Sequence, residues 1–145
     1  MKQVHLYSDG SSLGNPGFGG WCAILKFGDK QKIVSGGQEL ATNNQMELKA
    51  VIEGIKALKQ PCKVSVTSDS SYVVKGINEW LAGWVKKDFK KVKNPDLWKE
   101  YLRASKNHKI TAFWVKGHAG HKENEQCDEI ARSEAEKLQT KARNR

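Results

Sequence analysis

The sequence predicts an α/β domain built on a mixed sheet of five strands, an antiparallel meander followed by parallel strands, flanked by helices. Three observations carry this expectation. The first third of the chain alternates or runs apolar in strand-length pieces joined by short turns. A capped, strongly apolar helix pattern then stands between two strand patterns, which implies a parallel crossover, right-handed by default. Finally, 145 residues with 38% hydrophobic side chains are enough for one domain with a real core.

The elements follow in order. Residues 3–8 alternate, residues 20–27 form an apolar run, and Gly28-Asp29-Lys30 makes a turn into a third strand near 31–36. Thr42-Asn43-Asn44-Gln45 has the form of a capping box, Thr42 as N-cap and Gln45 at N3, opening a helix that runs to about Lys59. Its Met46, Leu48, Val51, Ile52, Ile55 and Leu58 are apolar on more than one side, so the helix is expected to be buried. Pro61 ends that segment and 63–68 returns as a strand. Short helices are expected from Ser70 to about Trp84. Asn94 and Pro95 supply an N-cap and an N1 proline for a helix to about Ser105. Residues 109–115 form the last strand, and Cys127, Ile130, Ala131, Ala135 and Leu138 trace one face of a final helix. The domain is read as residues 1–139, with a basic tail over 140–145 expected to be disordered.

Composition narrows the function. A formal net charge of +9 and a sequence pI near 9.5 imply a polyanionic partner. Cys22, Cys62 and Cys127 form an odd set without metal-ligand spacing, which predicts reduced, packed thiols in a cytoplasmic protein. No apolar signal core opens the chain and no stretch approaches membrane-spanning length, so no membrane partner is expected.

Against this basic background four acids stand out. Asp9 and Asp69 are placed where predicted strands run out, Asp128 near the start of the last helix, and Glu47 in the first turn of the capped helix. Elements of one sheet bring their ends together, so these acids can converge. Clustered carboxylates raise the electrostatic cost of folding unless a hard divalent cation with oxygen ligands sits between them. Taken singly, each acid has a plainer role. Asp9 suits a turn with Gly10, Asp69-Ser70 suits an N-cap, Glu47 complements a helix dipole, and Asp128 can pair with Arg132 one turn on.

Four segments decide between these readings. They are Tyr7-Ser8-Asp9-Gly10-Ser11-Ser12-Leu13-Gly14-Asn15-Pro16-Gly17, Thr42-Asn43-Asn44-Gln45-Met46-Glu47, Thr67-Ser68-Asp69-Ser70-Ser71-Tyr72, and Val115-Lys116-Gly117-His118-Ala119-Gly120-His121 through Asn124-Glu125-Gln126-Cys127-Asp128. Together, in this order and across essentially the whole chain, they resemble the signature segments of type 1 ribonuclease H in its bacterial form. The resemblance implies the ribonuclease H-like fold and an endoribonuclease that hydrolyses the RNA strand of RNA/DNA hybrids, leaving 5′-phosphate and 3′-hydroxyl ends. It also implies two Mg²⁺ ions, with Mn²⁺ as a substitute, and a monomer acting on a hybrid duplex.

The resemblance further assigns roles. Asp9 bridges both ions, Asp128 completes the water-side ion, and Glu47 and Asp69 serve the leaving-group side, while His118 assists proton transfer or product departure. Asn15, Thr42, Asn43, Asn44 and Ser71 match positions that contact the hybrid, although Ser71 stands where many relatives carry glutamine and Lys122 where many carry proline. Trp80, Trp84, Lys86, Lys87, Lys90, Lys91 and Lys93 correspond to a basic protrusion that grips the DNA strand, shorter here than in the enterobacterial form. Trp80 and Trp84, spaced i to i+4, equally suit packing on one helix face. Two alternatives stay open on sequence, a DNA nuclease of the same fold and a catalytically weak or inactive hybrid-binding module.

Overall fold

The computed structural model describes residues 1–117 and 121–145. The sheet has five strands in the order β3-β2-β1-β4-β5: β1 Lys2–Ser12, β2 Gly17–Phe27, β3 Lys30–Ala41, β4 Cys62–Ser68 and β5 Lys109–Trp114. β1, β2 and β3 pair antiparallel, while β1–β4 and β4–β5 are parallel. The mixed sheet expected from the sequence is therefore present. The helices are α1 Asn43–Lys56, α2 Ser71–Lys75, α3 Leu81–Lys86, α4 Pro95–Ser105 and α5 Lys122–Arg143, with a π-helical segment Gly76–Trp80 joining α2 to α3. Among the described residues no helix is long and apolar enough to cross a membrane.

The strands bury their side chains according to their period of two. On one face Leu6, Ala23, Leu25, Val64 and Val66 join Leu48, Val51, Ile52 and Ile55 of α1. On the other, Cys22 and Ile24 pack with Cys127 and Ala131 of α5. β2, covered on both sides, is buried continuously from Gly19 to Leu25. All three cysteines are free and buried.

A second layer of packing sets the region beyond α1. Trp98 of α4 is fully buried, ringed by Tyr72, Trp84 and Tyr101 at centroid distances of 5.7, 5.1 and 5.8 Å. Its indole N–H donates to the Tyr72 hydroxyl at 2.8 Å, satisfying the one polar group that burial would orphan. The free edge of β5 is met by a side chain. Asn78 Nδ2 donates to the Ala112 carbonyl at 2.8 Å, and the Ala112 N–H donates to Asn78 Oδ1 at 3.2 Å.

Several local expectations are corrected. β1 continues to Ser12 and β3 to Ala41 because Asp9, Gly10, Ser11 and Ser12 pair with Cys22, Trp21, Gly20 and Gly19, and Ala41 pairs with Gly17. Ladder pairing overrides the weak strand preference of glycine and serine. Asn94 does not cap α4 with its side chain. Its backbone is left-handed at φ 54°, and its amide instead accepts from Gln45 and donates to the Tyr72 hydroxyl, both at 3.2 Å. The tail is helical through Arg143, and the Arg145 guanidinium pairs with Glu39 of β3.

Candidate active site

Three of the four acids meet. Asp9, Glu47 and Asp69 each offer a carboxylate oxygen, and these atoms lie within 4.8 Å of one another. Asp9 lies in the interior of β1, not at its end, and Glu47 stands in the second turn of α1. Asp69 follows β4 directly. There Ser70, rather than Asp69, caps α2, its hydroxyl accepting from the Val73 N–H at 3.2 Å, which leaves the Asp69 carboxylate unused by the helix.

The pairing of Asp9 with Glu47 depends on Gly10. A Cβ built there would sit 2.2 Å from the Met46 carbonyl carbon and 2.3 Å from the Glu47 nitrogen, so only glycine lets β1 and α1 approach this closely. The Gly10 N–H then donates both to Asp9 Oδ1 at 2.9 Å and to Glu47 Oε1 at 2.6 Å. Taken alone, Asp9-Gly10 suits a turn; the need for glycine here comes instead from a strand lying against a buried helix.

The electrostatics are those of a crowded site. Burial pushes the Asp9 carboxyl up to about 6, with a hydrogen bond from Glu47 opposing the rise and the charges of Asp69 and Asp128 adding to it. Glu47 is raised well above the usual carboxylate range, first by burial and then by its bond to Asp9 and the charges of Asp9 and Asp69. Glu47 Oε2 is buried without a hydrogen-bond partner among the described residues. An orphaned buried oxygen beside two further carboxylates is a donor set that suits a hard cation with oxygen ligands.

Asp128 stands just outside this trio. It lines the same clefts as Asp9 and Asp69, but its Oδ2 pairs with Arg132 at 3.1 Å, as the plainer sequence reading allowed. Both roles fit, because a half-exposed i,i+4 ion pair is weak and readily exchanged.

The expected substrate contacts divide into those around the acids and those elsewhere. An open cleft of about 390 Å³ is lined by Asn43, Asn44 and Ser71 together with the acids. Asn15 reaches the same rim, its Oδ1 accepting from the Asn43 N–H at 3.1 Å. Thr42 is committed as a cap. Its hydroxyl accepts from the Gln45 N–H at 3.2 Å while Gln45 Oε1 accepts from the Thr42 N–H at 3.0 Å, completing the capping box. Lys86, Lys87, Lys90, Lys91 and Lys93 are all exposed around the loop after α3. In that loop Asp88, Phe89 and Lys91 adopt left-handed backbone, and buried Phe89 anchors the turn. Trp80 and Trp84 meet in a tilted contact at 5.8 Å; Trp84 is packed against Trp98, whereas Trp80 is 40% exposed. His118 lies outside the described residues.

Sequence reasoning also missed Trp114 and Asn124. The Trp114 indole donates to the Asp69 main-chain carbonyl at 3.0 Å, and Asn124 Nδ2 donates to that of Thr67 at 3.1 Å. An aromatic at a strand end and an asparagine in a first helical turn carry no signal of such contacts in one sequence.

Comparison with known proteins agrees with this geometry. The sequence profile of the RNase H family matches residues 1–136. The chain is 63% identical over 138 residues to the ribonuclease H of Campylobacter concisus, covering 95% of this chain and 96% of that protein. It is 58% identical over 137 residues to the ribonuclease HI of Helicobacter pylori, covering 94% and 96% respectively. Among solved structures, LC9-RNase H1, a type 1 RNase H with the type 2 active-site motif, superposes with a TM-score of 0.85 at 29% identity, over 92% of this chain and 72% of the other.

Proposed function

The chain belongs to the ribonuclease H family, and from that premise we propose that it hydrolyses the RNA strand of RNA/DNA hybrids by two-metal chemistry, leaving 5′-phosphate and 3′-hydroxyl ends. Its class is that of endonuclease hydrolases, and the family uses divalent metal. The observation that carries the reading is the convergence of Asp9, Glu47 and Asp69 beside a cleft lined by Asn43 and Asn44.

Two Mg²⁺ ions, with Mn²⁺ as a substitute, would supply activation of water and neutralisation of the charge growing on the leaving 3′ oxygen. Asp9 would serve both ions, Glu47 and Asp69 the one on the leaving-group side, and Asp128 the one on the water side. The Gly10 N–H fixes one oxygen of Asp9 and one of Glu47 against rotation, so both are oriented before any cation arrives. His118, which precedes α5 in the sequence, assists proton transfer or product departure.

Hybrids are read by shape and by 2′-hydroxyls more than by base edges. Asn15, Asn43, Asn44 and Ser71 present polar groups along the rim for that purpose, with Thr42 contributing beside its cap. The exposed face of Trp80 meets sugar or base on the DNA strand, Trp84 supports it from below, and Lys86, Lys87, Lys90 and Lys91 meet phosphates. The protein acts as a cytoplasmic monomer.

One gel tests the whole reading. A labelled RNA/DNA duplex should be cleaved in Mg²⁺ and left intact with chelator, while RNA/RNA and DNA/DNA duplexes persist. Cleavage of DNA/DNA would assign a DNA nuclease instead, and hybrid binding without turnover an inactive module.

The basic loop makes a separate expectation. Replacing Lys86, Lys87, Lys90, Lys91 and Lys93 by alanine should weaken hybrid binding and reduce its salt slope by roughly 0.9 per lost phosphate contact. The single-turnover rate at saturating enzyme should hardly change. An unaltered slope in a filter-binding titration would make these lysines a solvated face only.

A further inference from the structure

Three consecutive main-chain carbonyls at the end of β4, those of Thr67, Ser68 and Asp69, each accept from a donor beyond the strand. Asn124 Nδ2 donates to Thr67 at 3.1 Å, the Val115 N–H to Ser68 at 3.0 Å, and the Trp114 indole N–H to Asp69 at 3.0 Å. The ladder between β4 and β5 ends at the Ser68–Trp114 pair. Past that point regular sheet pairing no longer holds the chain, yet this is where Asp69 must present its carboxylate.

Trp114 is 55% exposed, so its ring adds little to the core. An indole left half in water, with its one polar atom on a backbone carbonyl, is placed for that bond rather than for burial. Asn124 has a complementary position. The Thr67 carbonyl dictates which end of its amide faces β4, and its Oδ1 is buried without a partner among the described residues. It stands four residues before Asp128 on α5, on the same helix face. Its bond therefore spans from the strand that leads into Asp69 to the helix turn that precedes Asp128.

We propose that Trp114 and Asn124 are positioning residues for the cation-binding carboxylates, Trp114 fixing the Asp69 peptide and Asn124 setting the spacing between β4 and the part of α5 that carries Asp128. The inference rests on the cation reading of the acidic cluster. A carboxylate on an unfastened chain end has to be ordered each time a cation binds, which lowers affinity without altering the ligand itself.

Trp114→Phe keeps a ring and removes the donor; Asn124→Ala removes the bridge. The readouts are Mn²⁺ binding to the metal-free full chain by calorimetry, the Mg²⁺ dependence of single-turnover cleavage, and hybrid affinity in chelator. Each variant should bind Mn²⁺ about 10-fold more weakly, the size found when groups behind metal ligands are removed. For Trp114→Phe the Mg²⁺ concentration at half-maximal rate should rise by the same factor while the rate at saturating Mg²⁺ recovers, and hybrid affinity in chelator should be unchanged. A purely structural role would move none of the metal readouts.

Asp9→Asn is run beside them. If it also binds Mn²⁺ like the wild type, the cation reading itself fails. If it loses Mn²⁺ while Trp114→Phe binds as the wild type, the positioning inference is overturned. Trp114 is half-exposed, so its variant keeps the test decisive even should Asn124→Ala fail to fold.

Discussion

Asp9→Asn is expected to reduce hydrolysis by several orders of magnitude while making the metal-free protein more stable. The two effects have one cause. Asp9 is 6% exposed, and burial together with Asp69 and Asp128 raises its carboxyl from 3.8 to about 6. Between those two values the unfolded chain gives up a proton that the folded chain retains, so folding stability falls as pH rises through that window. Above it the native carboxylate carries the whole penalty, about 3 kcal/mol for a shift of this size. Asparagine keeps an oxygen for the Gly10 N–H and carries no charge. In chelator, urea titrations should show the variant more stable than the wild type at pH 7 and equal to it below about pH 4. Magnesium should reverse the order, because a cation stabilises only the chain that binds it. Wild-type turnover from a clean Asp9→Asn preparation would end the two-metal assignment.

Gly10→Ala should be severely damaging for a single added methyl. The new carbon would lie 2.2 Å from a backbone carbon of Met46, an atom that cannot rotate away, so α1 must lift off β1. That places the change among the exceptional substitutions, with a loss of about 4 kcal/mol or more. Whatever fraction folds should bind divalent ions poorly, since Glu47 moves with the helix. Gly83→Ala is the matched control: nothing lies within 4 Å of its added carbon, and α3 should gain up to about 1 kcal/mol of helix preference. Equal stabilities for the two variants in chemical denaturation would show that β1 and α1 do not approach as described.

What could be read from the sequence was governed by how local each cause is. The capping box of Thr42 and Gln45 and the apolar stripe of Cys127, Ala131 and Ala135 are short-range patterns, and both are present. The four acids were legible only as members of a family pattern, because a lone carboxylate has several cheaper roles. The meeting of Asp9, Glu47 and Asp69 depends on spatial neighbours, whereas the pairing of Asp128 with Arg132 is local and legible one turn apart. β1 was cut short at Ser8 because Gly10, Ser11 and Ser12 have no strand preference of their own; their partners on β2 supply it. Asn94 takes the N-cap position but does not cap with its side chain, for a similar reason. Its amide is worth more bridging Gln45 to Tyr72 across two helices than closing its own. The bonds of Trp114 and Asn124 join residues 45 and 57 positions apart and have no local trace.

The paired bonds between Asn78 and Ala112 bear on how the protein behaves in a crowded cell. A sheet that ends in open N–H and C=O groups recruits further strands, from another copy or from any extended chain. Here one carboxamide imitates a peptide group at the middle of β5 and occupies both the donor and the acceptor that an incoming strand would need first. Phe113 and Trp114, large, exposed and directly following this point, would otherwise make the edge adhesive. The asparagine thus works as a sixth strand one residue long, letting the molecule keep aromatic surface beside its acidic cleft without inviting its own aggregation.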